Sequence, residues 1–437
     1  MKVMADAQKV DVAILGAGFA GTAVAQKLSK LLRANEATVT LVDRNNFFLF
    51  TPMLTEVAGD EAMPRDIVSA ARTMAPRATF EQGWVESIDP STRSFTVCIG
   101  SQENNVPETR RTISAGQLVI ALGSVINFYG IKGLAEHAYT LKSLADAATL
   151  RNRVLALLER ADEESNPEAR RALLTFVVGG GGSSGVETIA ALNAFVRELR
   201  RKFPRVRPDD VRTMIVEAGP SLLGELRSGL GAYAEAELKR QGVEVAVGTK
   251  VTEAGPASVT VDPPINGQSQ IPTHTLIWAG GIAPNPLVEA LDLPKGKHGI
   301  QVDECGRVPG HAGIWALGDL AEYPKPGGGT YPALAQNAQR EGEQAGRNLV
   351  ALLRGKQPEP FRYKPMGELV LIGKHRAVAS IMGYNVTGFF AWMAWRGIYL
   401  AKLPTFQQRV LVAGSWLLDL LFGRDMAQVP GASTGKD

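Results

Sequence analysis

An α/β fold of two doubly wound units, the second inserted in the first and followed by a C-terminal amphipathic helical segment, is what this sequence predicts. Two observations carry that expectation. Glycine patterns of the G-x-G-x-x-G type occur twice, Gly16-Ala17-Gly18-Phe19-Ala20-Gly21 and Gly180-Gly181-Gly182-Ser183-Ser184-Gly185. Each follows an apolar run and precedes a helical pattern that leads to a second apolar run ending in an acid. The last part of the chain then changes character, to tryptophan, phenylalanine and leucine interleaved with basic residues. One glycine-rich turn is weak evidence, but two in full strand–turn–helix–strand–acid context make each a Rossmann-like dinucleotide-binding unit. Two such units in one chain imply that a hydride passes between two dinucleotides.

The first unit opens with Val10 to Leu15, an apolar run broken only by Asp11. Thr22 to Leu32 follows as a helix, with Val24, Leu28, Leu31 and Leu32 as its buried stripe. Val39 to Val42 is the second strand, and Asp43 closes it. The glycines let backbone approach a pyrophosphate at the positive end of the helix. Asp43 is placed to accept a hydrogen bond from a ribose hydroxyl. The alternative is a plain βαβ turn without a ligand.

The second unit repeats the grammar: Leu173 to Val178 as strand, a helix from Val186, Thr213 to Val216 as strand, then Glu217. Glu217 stands further from its glycines than Asp43 does, because an arginine-rich excursion, Arg200 to Asp210, intervenes. A carboxylate at this strand end repels a 2′-phosphate, which favours NADH over NADPH. The alternative for Glu217 is an ordinary solvated strand end.

Leu118 to Ala121, with Gly123 after it, reads as the return strand of the first unit, and Ile126 to Leu144 as the bridge to the second. Ala161 to Arg170 reads as an exposed acidic loop or helix end. Thr275 to Trp278 and Ala279-Gly280-Gly281 close the second unit. Ile314 to Leu317 is another strand, ending at Gly318-Asp319, and belongs to the first unit if the second is an insertion. A helix is expected over Ala333 to Leu353. The domains expected are therefore 9–130 and 291–362 for the first unit, 131–290 for the inserted one and 363–437 for the C-terminal segment.

The length of 437 residues suits roughly three domains. A net charge of +3 gives no global case for nucleic acid. The two cysteines, Cys98 and Cys305, form no closely spaced pair, so a dithiol relay is not expected. The five histidines lack ligand spacing, and no metal is expected. The first strand begins by Val10, leaving no visible secretory or transit signal, so the expected location is the cytoplasmic side.

In residues 388–424, Pro404 separates two short helical patterns that contain Trp392, Trp395 and Trp416. Neither has the ~18 uninterrupted apolar residues a spanning helix needs. Arg396, Lys402, Arg409 and Arg424 outnumber the single acid, Asp419. Aromatics with cations on short helices describe an anchor at an anionic membrane surface. The alternative is a pair of helices packed on the body or forming a homodimer interface, and both can hold together.

These motifs together resemble the type II NADH:quinone oxidoreductases. The resemblance rests on GAGFAG with Asp43, Phe50-Thr51-Pro52-Met53-Leu54 with Ala58-Gly59, GGGSSGVE at 180–187, WAGG at 278–281, Gly318-Asp319, Ala335-Gln336-Asn337-Ala338, and the Trp392/Trp395-Arg396 tail. It runs over essentially the whole chain. It implies FAD in the first unit, NADH in the second, a quinone acceptor, and attachment to the cytoplasmic face of the inner membrane as a peripheral protein. The cofactor-binding residues it assigns are Gly16, Gly18, Gly21, Asp43, Arg44, Thr51, Pro52, Gly123, Asp319 and Ala335, together with Gly180, Gly182, Gly185, Glu217, Ala279 and Gly281. The Phe50-Thr51-Pro52 turn is expected against the flavin ring, Asp319 near its ribityl-phosphate arm, and Ala279 to Gly281 beside the nicotinamide. Asp319 could otherwise be a helix N-cap.

Glu187 and Gln336 are the catalytic candidates. Glu187 also fits a capping box with Ser184, S-x-x-E, and the two readings stand side by side. The family pattern A-Q-x-A-x-Q places a second glutamine where this chain has Arg340, while Gln339 points about 100° around the helix. Arg340 is either a charge offered to flavin or quinone or a surface partner of Glu343 or Glu341. Sulfide:quinone oxidoreductases and apoptosis-inducing-factor-like flavoproteins are the rival readings.

Overall fold

The computed structural model describes residues 8–101, 106–227, 229–365 and 367–429. The start of the chain and residues 430–437, the end of the expected C-terminal segment, lie outside the described residues. The chain forms two compact units. One is built from Met1–Leu49, Val68–Val125 and Ile282–Pro365, the other from Phe50–Ile67, Ile126–Gly281 and Met366–Asp437.

The first unit is organised on one sheet. Gln8–Leu15 pairs in parallel with Val39–Asp43 on one side and Val106–Ile120 on the other, and Thr79–Gln82 extends the sheet beyond Val39–Asp43. Val106–Ile120 serves two neighbours by its two halves. Its earlier part pairs antiparallel with Ser94–Ser101, as Ser94 opposite Ser114, and its last residues pair in parallel with Ile314–Ala316. The strand that follows the inserted segment thus returns to the first unit's sheet. The buried side chains of Ile14, Leu15, Phe95 and Trp315 fill its core.

Helix Phe19–Leu31 lies along helix Ala335–Leu353, which begins close to its expected start. Their approach requires small residues. A Cβ at Gly342 would collide with the Ala20 carbonyl, and one at Gly346 would come within 2.6 Å of the Lys27 Cβ. This packing fixes the helix whose first turn carries the glycine loop.

The second unit holds a four-stranded parallel sheet in the order Val243–Val247, Arg212–Glu217, Thr175–Gly179, Thr275–Trp278. Its central strand starts later than expected. Pro167 and the Asn166 cap, which accepts from the Glu168 and Ala169 amides, start a short helix, Pro167–Leu173, that takes Leu173 out of the strand. Helix Leu144–Glu163 opens with a reciprocal capping box between Ser143 and Asp146.

The C-terminal segment belongs to this second unit. It comprises an antiparallel sheet, Gly367–Gly373, Arg376–Ile381 and Tyr384–Thr387, and two helices, Gly388–Lys402 and Phe406–Phe422, divided at Pro404 as expected. Among the described residues no helix is long and apolar enough to cross a membrane.

Candidate dinucleotide sites and a buried acidic cluster

The three glycines of each loop have different physical reasons. Gly16 and Gly180 sit at φ +103° and +113°, where a Cβ would meet the backbone of Ala121 and Ala279. A Cβ at Gly21 or Gly185 would collide with the carbonyl oxygen of Gly16 or Gly180, so helix and turn close only through glycine. At Gly18 and Gly182 a Cβ would meet no protein atom within 4 Å. These middle glycines keep clear the face that a pyrophosphate uses. They are the N-caps of helices Phe19–Leu31 and Ser183–Leu199, and no side chain caps either helix. The first-turn N–H groups and the positive end of each helix suit an anion. On this test both loops fit a dinucleotide.

The acids at the strand ends hold the loops. Asp43 accepts from the Ala17 amide at 2.7 Å and from the Asn45 amide at 2.8 Å, and its burial raises its pKa. Glu217 accepts from the amides of Gly181 and of Gly219, the latter at 2.5 Å. Both carboxylates are therefore held in place by the loop they close. Arg44 is exposed, with its guanidinium 5.5 Å from the Trp84 ring centre.

Elsewhere in the first unit, Asp319 accepts from the Ser124 hydroxyl at 2.7 Å, next to Gly123 at φ +67°. The short turn Gly318–Leu320 has Leu317 as its N-cap, so Asp319 is not a cap there. The Gly318 amide donates to Glu341 at 2.9 Å, and burial pushes Glu341 up to about 7. Ala335 and Gln336 begin helix Ala335–Leu353 and are half-buried. Arg340 pairs with Glu343 at 2.9 Å on the exposed side, so it is a surface partner.

In the second unit, Thr51 and Pro52 open the turn Thr51–Met53. The Ala279 amide donates to the Gly179 carbonyl at 2.8 Å, and a Cβ at Gly281 would strike the Tyr129 hydroxyl. The capping box with Ser184 does not form, because the helix has already begun at Ser183 with Gly182 as N-cap. Glu187 instead points at the C-terminal sheet and accepts from the Leu371 amide at 3.0 Å. Burial raises its carboxyl to about 8, against the pull of that amide and of the Trp395 indole.

A second acid escaped the sequence reading. Glu56, buried in Leu54–Ala58, accepts from the Trp416 indole at 3.0 Å and is pushed up to about 8, first by burial and then by Glu61. Its signal was a lone acid inside the apolar run Met53 to Ala58. Tyr399, stacked on Trp395 at 4.2 Å, is half-buried near these acids.

Two of the four tail cations counted toward an anionic surface turn inward instead. Arg396 lies between Trp392 and Trp416, at 4.5 and 4.3 Å, and pairs with Glu61 at 3.4 Å. The Arg424 side chain is 1% exposed and pairs with Glu61 at 2.8 Å. The partly buried Glu61 carboxylate claims both charges, which desolvation would otherwise penalise. The helices keep an outward apolar face: Phe390, Phe406, Leu420, Leu421 and Phe422 are exposed.

Cys98 and Cys305 are buried free thiols, and burial holds both above the usual thiol range. Among the described residues no group of acid, His or Cys side chains is arranged to hold a metal.

Fold and loops define an α/β protein with two dinucleotide sites. Residues 10–342 match the pyridine nucleotide-disulphide oxidoreductase family and residues 366–425 the NDH2 C-terminal domain. The chain is 31% identical to a probable NADH dehydrogenase of Dictyostelium discoideum, over 95% of this chain and 90% of that one. It is 29% identical to the type II NADH:quinone oxidoreductase Ndh of Mycobacterium tuberculosis, over 94% and 88%. In fold it is similar to NDH2 of Plasmodium falciparum solved with NADH, with a TM-score of 0.87 at 19% identity, covering 96% of this chain and 99% of that one. The sulfide:quinone oxidoreductase of Aquifex aeolicus is less similar, with a TM-score of 0.68 at 19% identity over 97% and 99%. The chain belongs to the pyridine nucleotide-disulphide oxidoreductases, and within them to the type II NADH:quinone oxidoreductases.

Proposed function

We propose that this chain oxidises NADH with the help of FAD and reduces a membrane quinone without pumping protons. The observation that carries the reading is the presence of two complete dinucleotide loops in one chain with a C-terminal domain whose Leu371 amide holds Glu187. When bound, FAD would supply the redox chemistry that links hydride donation by NADH to two-electron reduction of the quinone.

The residues of the chain bind, orient and supply protons. Gly16, Gly18 and Gly21 offer the backbone cradle for FAD, Asp43 and Arg44 its ribose end, Gly123, Asp319 and Ala335 its remaining length, and Thr51 and Pro52 the ring. Gly180, Gly182 and Gly185 do the same for NADH, with Glu217 on the ribose and Ala279 to Gly281 at the nicotinamide. Gln336 presents its amide to the quinone. Glu187, raised to about 8 by desolvation, holds a proton on its carboxyl at neutral pH.

The apolar face of helices Gly388–Lys402 and Phe406–Phe422 rests on the cytoplasmic surface of the inner membrane in this reading. Exposed residues such as Phe390, Leu421 and Phe422 support it, since such a patch is costly in water.

Steady-state NADH oxidation with a soluble quinone, with and without sulfide, tests the activity. Quinone-dependent turnover that ignores sulfide is expected. Sulfide-driven quinone reduction, or flavin reduction with negligible quinone turnover, would select a rival. The triple variant Phe390→Ser, Leu421→Ser, Phe422→Ser tests the membrane face. It should keep soluble-quinone activity and lose flotation with liposomes.

A further inference from the structure

The arginine-rich excursion after helix Ser183–Leu199 is not among the residues assigned to NADH above. In the structure it contributes to a cleft of about 390 Å³ in the second unit. Arg197 and Glu198 come from that helix, Arg201 from the turn Arg200–Lys202, Arg240 from the end of helix Leu230–Arg240, and Lys374 from the turn before strand Arg376–Ile381. Four cations and one carboxylate thus face one concavity.

The nearby carboxylates are already engaged. Glu237 pairs with Arg240 at 2.5 Å, and Glu198 pairs with Lys374 at 3.4 Å and Arg424 at 3.9 Å. Among the described residues neither Arg197 nor Arg201 makes an ion pair. Neutral acceptors alone orient Arg197, the Asn193 side-chain oxygen at 2.7 Å and the Gly242 carbonyl at 3.1 Å. Burial and the charge of Arg200 both work against the Arg197 cation, a condition an anion would relieve.

The cleft also adjoins an apolar surface. Immediately after helix Phe406–Phe422, the Arg424 amide donates to Glu198 at 3.4 Å. That helix end exposes Leu420, Leu421 and Phe422. A cationic hollow and an apolar ledge therefore meet at Glu198, a layout that suits a molecule with an anionic head and an apolar tail.

We propose that this cleft binds the phosphate headgroup of an anionic phospholipid, whose acyl chains lie along the exposed end of helix Phe406–Phe422. The proposal rests on the membrane reading above and gives it a lipid class. It also relocates the electrostatic contact, from the tail arginines paired with Glu61 to Arg197 and Arg201, with Arg240 and Lys374, themselves paired with Glu237 and Glu198, beside them. Arginine suits this ligand because its planar fork matches phosphate oxygens.

The test uses the FAD-loaded full chain and two vesicle types, phosphatidylcholine alone and phosphatidylcholine with a minority of phosphatidylglycerol. The double variant Arg201→Gln, Lys374→Gln removes two exposed charges that the reaction does not use. A second double variant, Arg171→Gln, Lys250→Gln, removes two exposed charges of the same unit outside the cleft. Each cation at an anionic surface is worth about fivefold in partitioning, so the cleft variant should bind phosphatidylglycerol vesicles about 25-fold more weakly. Its binding to phosphatidylcholine vesicles and its soluble-quinone turnover should be unchanged, and the control variant should bind like the parent.

An equal loss in the control variant would overturn the site, because general charge would then explain binding. So would parent binding that phosphatidylglycerol does not strengthen, although the membrane reading would then stand. A parent that binds neither vesicle defeats the membrane reading itself. Titration with inorganic phosphate alone should show no saturable binding, and saturation would reassign the cleft to a free anion.

Discussion

The two glycine loops are built to one plan and differ at one instructive position. In the first, Ala17 stands between the turn glycines and its amide reaches Asp43. In the second the corresponding residue is Gly181, and the acid is Glu217. A Cβ at Gly181 would lie 2.8 Å from both Cβ and Cγ of Glu217. The longer acid folds back over the loop and takes the space that alanine uses in the other copy. GAG with aspartate and GGG with glutamate are two solutions to one packing problem. The helices differ as well. The position of Ala23, buried and apolar in the first loop's helix, is taken in the second by Glu187, which turns to the C-terminal sheet. One copy is a cradle only; the other adds a half-buried acid to the cradle.

The largest effect should come from breaking what the loops share. Gly21→Ala or Gly185→Ala puts a methyl group into a carbonyl oxygen, and overpacking of this kind costs about 3 kcal/mol or more. Both variants should show a markedly lowered Tm, and an unchanged Tm would mean that the helix–turn packing is not close.

The middle glycines should separate the copies without unfolding either. Gly18→Val meets no protein atom nearest its Cβ, so it should give folded protein with little bound flavin by absorbance. Gly182→Val should retain flavin and raise KM for NADH. Reversed outcomes would exchange the two cofactor assignments.

Glu217→Gln sharpens the contrast between the acids. A lost hydrogen bond to a charged group is worth about 1.5–3 kcal/mol, about 10- to 150-fold. KM for NADH should rise and the NADH/NADPH ratio of kcat/KM should narrow. A ratio equal to the parent's would remove Glu217 from the ribose.

The smallest effect should appear in pH dependence. Glu187 and Glu56 have folded pKa values near 8, above the ordinary 4.5. Their contribution to stability is full below about 4.5 and is lost progressively as pH rises from there through about 8. Glu187→Gln and Glu56→Gln should each flatten the fall in Tm across that window. Only Glu187→Gln should also alter the pH profile of quinone turnover, and a parent-like profile would leave it a structural acid.

Much of this was legible in the residues. Glycine spacing, apolar periodicity and closing acids are local signals, and they located both loops, the return strand Ile314–Ala316 and the division at Pro404. Local signals also misled where two competed, as at Leu173, which the Asn166-Pro167 helix start captured from an apolar run. For Ser184 and Glu187 the sequence left a tie, because a capping box and a buried acid share the same letters. The helix begins at Ser183, two residues before a Ser184 cap would start it, and the box does not form.

The sequence by itself determined the two dinucleotide loops, because a positive φ and a backbone collision admit only glycine wherever the chain runs. It also determined the absence of a long apolar span among the described helices and the apolar character of the tail. Tertiary structure alone decided which charges face outward. Arg396 and Arg424 read as surface cations, yet Glu61, from a distant part of the chain, draws both inside. Glu56 drew no notice in the sequence and Glu187 stood between a cap and a catalytic acid until the C-terminal helices and sheet shielded both. Charge is written in the residue, but its solvation depends on neighbours brought together only by folding.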